Sequence, residues 1–485
     1  MKKRLTLLIA LLLTLTLLFT ACAPTAEPTP TAESESQETA YPASQTVETD
    51  AGGQEFAYPA DVLTEPAPLG EARFTIQADP GLQEPLSALY SAAFPGEAPL
   101  FVDADADLLA TAAPQEETFT PADLPATFLP GSALIPQTKS QDAADFIAFA
   151  ISTAGQQVLI DIGALPASVT VTDQAGNTVE VPQPVERVIS AYGPVTSMVY
   201  AVDAERALVA AGYLGANDPR GASAMENIDP RFPDLISNDI FSQSTFSVEE
   251  AANRDPDLVL ANARSSWLET TRELDIPILL YDAESPEKLK EAVLLTGQVF
   301  GPHAAAQAQA WVDYYDWVTN IVADHTQYLS AEERPNVLFT GTSPTHVASA
   351  DMYQTSLIGM AGGVSATMEL TGYWNDVDLE RIAVWNPDVI IVPPYGGATV
   401  EAITEDAEWQ ILDAVQAGEV YQMPKLVAPW DTPAPDSVMG IIWLAQVLYP
   451  DQVDLDCQAQ AQYFFNTFYD YAIPAEELEA ICVID

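Results

Sequence analysis

One uninterrupted helical pattern in the middle of the chain sets the architecture. Across residues 302–329, Trp311, Tyr315, Val318 and Val322 recur at spacings of four, three and four, which is one face of a helix. Pro302 suits the first turn, where its missing N–H leaves nothing unpaired. At 1.5 Å per residue such a helix spans roughly 40 Å, enough to cross a domain. Short apolar strand patterns alternate with helical ones on both sides of it. Before it lie 187–190, 258–261 and 278–281; after it lie 336–340, 389–392 and 420–423. Alternation of this kind builds a mostly parallel sheet. It occurs twice, so the expected fold class is α/β, with two α/β lobes joined by one long α-helix. The expected boundaries are 167–300 for the first lobe, 301–330 for the linker helix, and 331–485 for the second lobe and a helical, aromatic tail at 457–481. A hairpin is expected where 169–172 and 178–181 alternate around Ala175-Gly176-Asn177. A single rigid linker resists wide hinge motion, so lobe closure is expected to be small.

A small α/β module is expected at 68–166. Residues 72–77 and 99–102 read as strands, and 126–135 as extended. Leu82, Leu86, Leu89, Tyr90 and Phe94 carry helical spacing. Residues 143–151 and 155–160 read as an amphipathic helical pair. That pair is similar to the C-terminal helices of molybdate-type anion-binding proteins. The likeness implies a truncated lobe of such a protein that has lost its own ligand site; an unrelated small α/β module is the alternative.

The N-terminus opens on Met1-Lys2-Lys3-Arg4, followed by an uncharged apolar run to Phe19 and then Thr20-Ala21-Cys22. A basic head, an apolar core and small residues at the end make a signal peptide over 1–21. The run is short of the ~20 apolar residues that a membrane span needs. Phe19-Thr20-Ala21-Cys22 resembles a bacterial lipobox, with Phe19 where an aliphatic residue is usual. The resemblance implies lipidation of Cys22 and an anchor on the outer face of the cell membrane. The alternative is a plain signal peptide with an incidental cysteine. Residues 22–67 are rich in Pro, Thr, Ser and Glu, a disordered spacer by composition.

Acidic residues dominate, 70 Asp+Glu against 17 Lys+Arg. Cleavage after Ala21 would remove three of the basic residues and none of the acidic ones, taking the net charge from −53 to −56. That excludes nucleic acid as a partner, and leaves the lipid anchor as the only expected contact with a membrane. With Cys22 acylated, Cys457 and Cys482 remain as a pair in an oxidising compartment, so a disulfide is expected, with two buried free thiols as the alternative.

An ordered series of motifs carries a stronger resemblance. Arg187-Val-Ile-Ser-Ala-Tyr-Gly-Pro194 and Asp255-Pro-Asp-Leu-Val-Leu260 come first. Gly372-Tyr-Trp-Asn-Asp-Val-Asp-Leu-Glu380, Trp385-Asn-Pro-Asp-Val-Ile390, Gly418-Glu-Val-Tyr421 and Pro429-Trp-Asp-Thr-Pro-Ala-Pro-Asp436 follow. Over about 300 residues the chain resembles the solute-binding proteins of ABC importers for iron-siderophore, haem and cobalamin. The resemblance implies a class III solute-binding fold and a monomer that does no chemistry. It implies a ferric siderophore, haem or corrinoid as ligand, no cofactor, and an ABC importer permease as partner.

Ligands of open α/β sheets bind beyond the carboxyl ends of the strands. In the first lobe those ends offer Tyr192, Gly193 and Pro194, then Arg264, Ser265 and Trp267. The second lobe offers Thr340, Ser343, Tyr353, Trp374, Tyr395 and Trp430. Aromatic walls suit a flat chelate, and Arg264 is expected to pair with an anionic complex. Some of these aromatics could equally be core or hinge packing. Glu249 and Glu380 each sit in the first turn of a helix, behind Ser247 and Asp378, where the helix dipole alone accounts for an acid. Ser247 and Glu250 read as a capping box. In the resembled family the matching glutamates dock onto permease arginines. No catalytic or metal-binding constellation is read. His303, His325 and His346 are too few and too dispersed for a bare-metal receptor, and there is no G-x-S-x-G, phosphate loop or H-E-x-x-H for an enzyme. A surface-anchored sensor or structural lipoprotein is the competing class; an oxyanion receptor is a further alternative.

Overall fold

The computed structural model describes residues 72–113, 124–212, 219–236, 240–242, 244–271, 274–450 and 452–484. The signal peptide, Cys22 and the spacer lie outside the described residues.

The small module runs β1 (Thr75–Ala78), α1 (Gln83–Ala93), β2 (Leu100–Phe101), β3 (Leu108–Ala112), β4 (Ser132–Pro136), α2 (Gln141–Ile151) and α3 (Thr153–Asp161). Its sheet has the order β2-β1-β3-β4, and only β4 is antiparallel. Phe74, Tyr90, Phe94 and Phe146 cluster in its core, with ring centroids 4.8 to 6.5 Å apart. The expected extended run at 126–135 is interrupted, because Ser132 N–H turns back to Leu129 O. Strand β3 carries no sequence signal: Leu-Leu-Ala-Thr-Ala has only Thr111 as a β-branched residue.

The first lobe begins with the hairpin β5 (Ser168–Thr172) and β6 (Thr178–Pro182), whose turn is closed by the Asp173 carboxylate accepting from Ala175 and Asn177 N–H. Next come β7 (Val188–Ser190), α4 (Gly193–Ala201), β8 (Leu208–Ala211), α5 (Pro219–Ile228), α6 (Phe232–Leu235), α7 (Val248–Asn253), β9 (Leu258–Asn262), α8 (Leu268–Thr271), β10 (Ile278–Tyr281) and α9 (Pro286–Phe300). Its sheet, β10-β9-β7-β8, is parallel throughout.

The linker is α10 (Pro302–Thr326). Trp311, Tyr314, Tyr315, Val318 and Val322 are buried along it and belong to one hydrophobic core shared by both lobes. It packs tightly on α9: a Cβ on Gly297 would lie 2.5 Å from Ala308 Cβ and 2.6 Å from Ala304 O. Its first turn also holds the small module. Thr127 N–H donates to His303 Nδ1 (3.3 Å), and Gln156 Nε2 donates to Phe300 O (3.1 Å). Because Nδ1 accepts, the ring proton sits on Nε2 and points to Asp203 Oδ2, 3.0 Å away.

The second lobe comprises β11 (Asn336–Phe339), β12 (His346–Val347), α11 (Tyr353–Met360), β13 (Val364–Ser365), β14 (Asn375–Asp376), α12 (Leu379–Trp385), β15 (Val389–Val392), α13 (Val400–Thr404), α14 (Asp413–Ala417), β16 (Val420–Gln422), α15 (Ser437–Leu448), α16 (Cys457–Tyr469) and α17 (Ala475–Ile481). Its sheet, β13-β11-β15-β16, is again parallel. The tail expected as one helical stretch is two helices. Asp470 takes a left-handed conformation (φ 47°) that ends α16, and α17 starts after Pro474 at its N-cap position. Cys457 and Cys482 are joined by a disulfide that ties the ends of this pair together.

The two Pro-Asp motifs have a shared local purpose. Asp255 and Asn386 both adopt left-handed backbone (φ 47° and 41°) just before their prolines. Each following aspartate then braces the start of a neighbouring strand. Asp257 accepts from Glu186 and Arg187 N–H, and Asp388 from Asn336 N–H at 2.8 Å.

Candidate functional site

The carboxyl ends of the first-lobe strands bring three groups together. Tyr192 follows β7 as the N-cap residue of α4, with Gly193 and Pro194 in the helix's first turn. Burial, reinforced by the charge of Glu284, pushes the Tyr192 phenol up to about 12. Asn262 ends β9, and its Oδ1 accepts from Arg264 N–H (2.8 Å), which turns the chain and projects the arginine. Asp282 and Glu284 follow β10. They take Arg264 between them, Nη1 to Asp282 Oδ1 at 2.7 Å and Nη2 to Glu284 Oε1 at 2.6 Å. Lys288 holds Asp282 from the other side at 2.6 Å. Gln174, in the hairpin turn, accepts from Asp282 N–H (2.8 Å) and so steadies the pair.

Arg264 also reaches the second lobe, where its guanidinium carbon lies 5.0 Å from the centroid of the Tyr373 ring, half of whose surface is exposed. Beside it, Trp374 is half-buried and stacks on His346 with centroids 5.5 Å apart. Gly341 makes room for that stack: a Cβ there would strike the Trp374 ring at 2.8 Å. His346 Nδ1 is 2.7 Å from Asp376 Oδ1. The loop bearing Ser343 is tied to the one bearing Tyr395 through Gly397 N–H to Thr342 O, 2.8 Å.

Tyr395, half-buried after β15, donates to Asp431 Oδ2 at 2.6 Å; Gln354 Nε2 donates to the same oxygen at 3.2 Å. Burial raises Asp431 to about 6 and, with the adjacent Asp431 charge, moves Tyr395 far above the ordinary phenol range. Asp431 Oδ1, Gln354 Oε1 and Trp430 Nε1 are buried and make no hydrogen bond within the protein. Among the described residues, no three His, Cys, Asp or Glu side chains converge to hold a metal ion.

Four expected site residues are packed inside instead. Trp267 is 5% exposed and stacks on Phe246 at 4.9 Å within the first-lobe core. Tyr353 is fully buried and hydrogen-bonds Tyr315 on α10 (2.9 Å) and Ser437 (2.6 Å), which makes it a strut between linker and second lobe. Trp430 and Thr340 are fully buried as well. Each lies in the right loop, but its apolar surface or hydroxyl is used by the interior. The free pairing expected of Arg264 with an anionic complex is also replaced, because two carboxylates already occupy it. Ser265 donates its N–H to Asn262 O as part of the Arg264 turn. The site gains Asn262, Asp282, Glu284 and Tyr373, which were not foreseen. The strand-end rule would have found the acids directly after 278–281, and Tyr373 is the neighbour of Trp374.

Glu249 and Glu380 are both exposed in the first turns of α7 and α12. Ser247 and Asp378 cap those helices, accepting from Glu250 and Arg381 N–H. The capping box is one-sided, because Ser247 N–H goes to Ile240 O rather than to Glu250.

Two parallel α/β lobes whose strand ends meet across a cleft, held by one helix, define a two-lobed binding protein of class III rather than an enzyme. Residues 188–426 match the model of the periplasmic binding protein family, and this part of the chain belongs to it. It is thus a solute-binding protein of an ABC transporter, working on the periplasmic or extracellular side, and proteins of this family partner with transporter components. The molybdate-binding protein MolA of Haemophilus influenzae is 23% identical over 335 residues, 62% of this chain and 90% of that protein. The vitamin B12-binding protein of Yersinia pseudotuberculosis is 24% identical over 213 residues, 43% of this chain and 70% of that protein. A periplasmic solute-binding protein of Veillonella parvula aligns in structure with a TM-score of 0.57 at 25% identity, covering 65% of this chain and 96% of that one.

Proposed function

We propose that this protein captures a metal chelate, either an iron complex (ferric siderophore or haem) or a corrinoid, and hands it to an ABC importer permease. The observation that carries the reading is the convergence of Tyr192 and Arg264 from one lobe with Tyr373 from the other, with Trp374 and Tyr395 on the same wall. An aromatic-walled cleft with few orienting polar groups suits a broad, partly apolar ligand. The likeness to a vitamin B12-binding protein supports the corrinoid branch. Lipid on Cys22 would keep the protein at the outer face of the membrane, with residues 22–67 as a spacer, 167–300 and 331–485 as the lobes, and 68–166 as an accessory module. Native mass spectrometry of the purified protein, offered siderophores, haem and corrinoids, tests the ligand. A bound chelate is expected; retention of none would refute the reading.

Glu249 and Glu380 are proposed to dock the permease. Each precedes a left-handed residue, Pro and Asp by the same interval, and both point an acid to solvent from a helix start. Reversing both to Lys is expected to abolish uptake while leaving ligand affinity unchanged. Transport that survives the double reversal would remove the assignment. A molybdate-type oxyanion is the second reading, suggested by the likeness to MolA.

A further inference from the structure

We infer that the cleft selects a neutral or cationic chelate over an anionic one, with Asp282 and Glu284 as the residues that set this preference. The inference rests on the chelate-binding reading above and narrows its ligand class.

Arg264 is the cation best placed to receive an anion, and it is already committed. Both of its terminal nitrogens are held by carboxylates at 2.7 and 2.6 Å, and the Tyr373 ring covers it at 5.0 Å. Lys288 is engaged by Asp282 in the same way. These two cations and two acids cancel, which leaves the buried Asp431 carboxylate behind Tyr395 as the unbalanced charge. Glu284 holds the face of the first lobe that meets the second, since the Arg264 it pairs with lies over the Tyr373 ring. An arriving anion would have to break two charge-assisted hydrogen bonds and then sit against the acids it released.

The backbone gives an oxyanion little help. The start of α4 is the natural seat for one, but Pro194 supplies no N–H there. Gly212 also backs onto this turn, so closely that a Cβ would lie 3.0 and 3.1 Å from the Tyr192 and Gly193 nitrogens. On the opposite wall half-buried Tyr395 spends its hydroxyl hydrogen on Asp431, so its oxygen is left as an acceptor. A ligand that offers N–H or O–H groups, or positive charge, complements such a wall; an oxyanion does not.

Isothermal titration of the intact mature protein with four probes tests this: molybdate, a ferric tris-catecholate, cyanocobalamin and the cationic ferric complex of a linear trihydroxamate. At least one of the last two is expected to bind, with both anions weaker by about 100-fold or more. Glu284→Gln alone, and with Asp282→Asn, is expected to narrow that gap by about tenfold or more as Arg264 is freed. Circular dichroism establishes that each variant is folded, and the single variant serves if the double one is not. Anions that bind as tightly as the neutral and cationic probes, or an unchanged gap in the folded variant, would overturn the inference while leaving chelate binding intact. Binding of none of the four would instead overturn the chelate-binding reading, and the inference with it.

Discussion

Asp436 offers a quantitative test of how this acidic protein responds to pH. Its carboxylate is fully buried and accepts hydrogen bonds from Ala428 N–H at 3.2 Å and from the Tyr469 hydroxyl at 2.5 Å. Burial raises its pKa to about 6, although both hydrogen bonds pull the other way. In the unfolded chain it titrates near 4. The folded state therefore binds more protons between pH 6 and 4, so stability grows as pH falls through that window and the contribution is absent above it. Relative to pH 7, the linkage gives about 1 kcal/mol at pH 5 and about 2 kcal/mol at pH 4. Relief of repulsion among surface acids acts in the same direction, so the parent chain alone cannot isolate the effect. Asp436→Asn can: its amide still accepts one of the two hydrogen bonds, and the Tyr469 hydroxyl can turn to accept from the other side. Urea unfolding followed by tryptophan fluorescence at pH 7, 6, 5 and 4 should show the variant losing its advantage over the parent by those amounts. A stability difference that stays constant over this range would refute the placement of a raised, titrating carboxylate here.

Other perturbations have simpler readouts. Replacing Cys457 and Cys482 by Ser opens a loop with a sequence separation of 25 residues. That should cost about 3 kcal/mol in the unfolding free energy, a difference that vanishes when the parent is measured in reductant. Gly440→Ala would drive a Cβ to 2.3 Å from Trp430 O, which is backbone and cannot swing away. A loss of about 1–3 kcal/mol is expected in thermal or urea unfolding, with an unchanged midpoint counting against the packing described. Small-angle scattering with and without a bound chelate should differ little, because α10 is buried along its length and locked onto α9; a large compaction would contradict this.

The parallel strands 278–281 and 389–392 were legible because they are short apolar runs with turn or Pro-Asp boundaries, and buried parallel strands need that pattern. The linker was legible because a buried helix repeats its large residues every three or four positions. Strand β3 was not, since Leu and Ala carry no strand preference and only pairing with β1 and β4 makes it one. The site was half legible. Sequence position told which loops reach the cleft, but not which way a Trp or Tyr turns within a loop. Trp267 and Trp430 turned inward, while Tyr373 turned outward to meet Arg264. The pairing of Arg264 with Asp282 and Glu284 was hidden for a related reason, because it joins the ends of two strands that only the sheet brings together.

The contact at His303 has a consequence for folding. Its imidazole takes Thr127 of the small module on one nitrogen and Asp203 of the first lobe on the other, while Gln156 seals the carbonyl that precedes Gly301. Melting the small module would bare a buried ring nitrogen and a helix-terminal carbonyl in the same step. Two hydrogen bonds thus couple the accessory module to the junction of α9 and α10, although the module keeps a hydrophobic core of its own and its covalent connection at 161–167 is largely exposed.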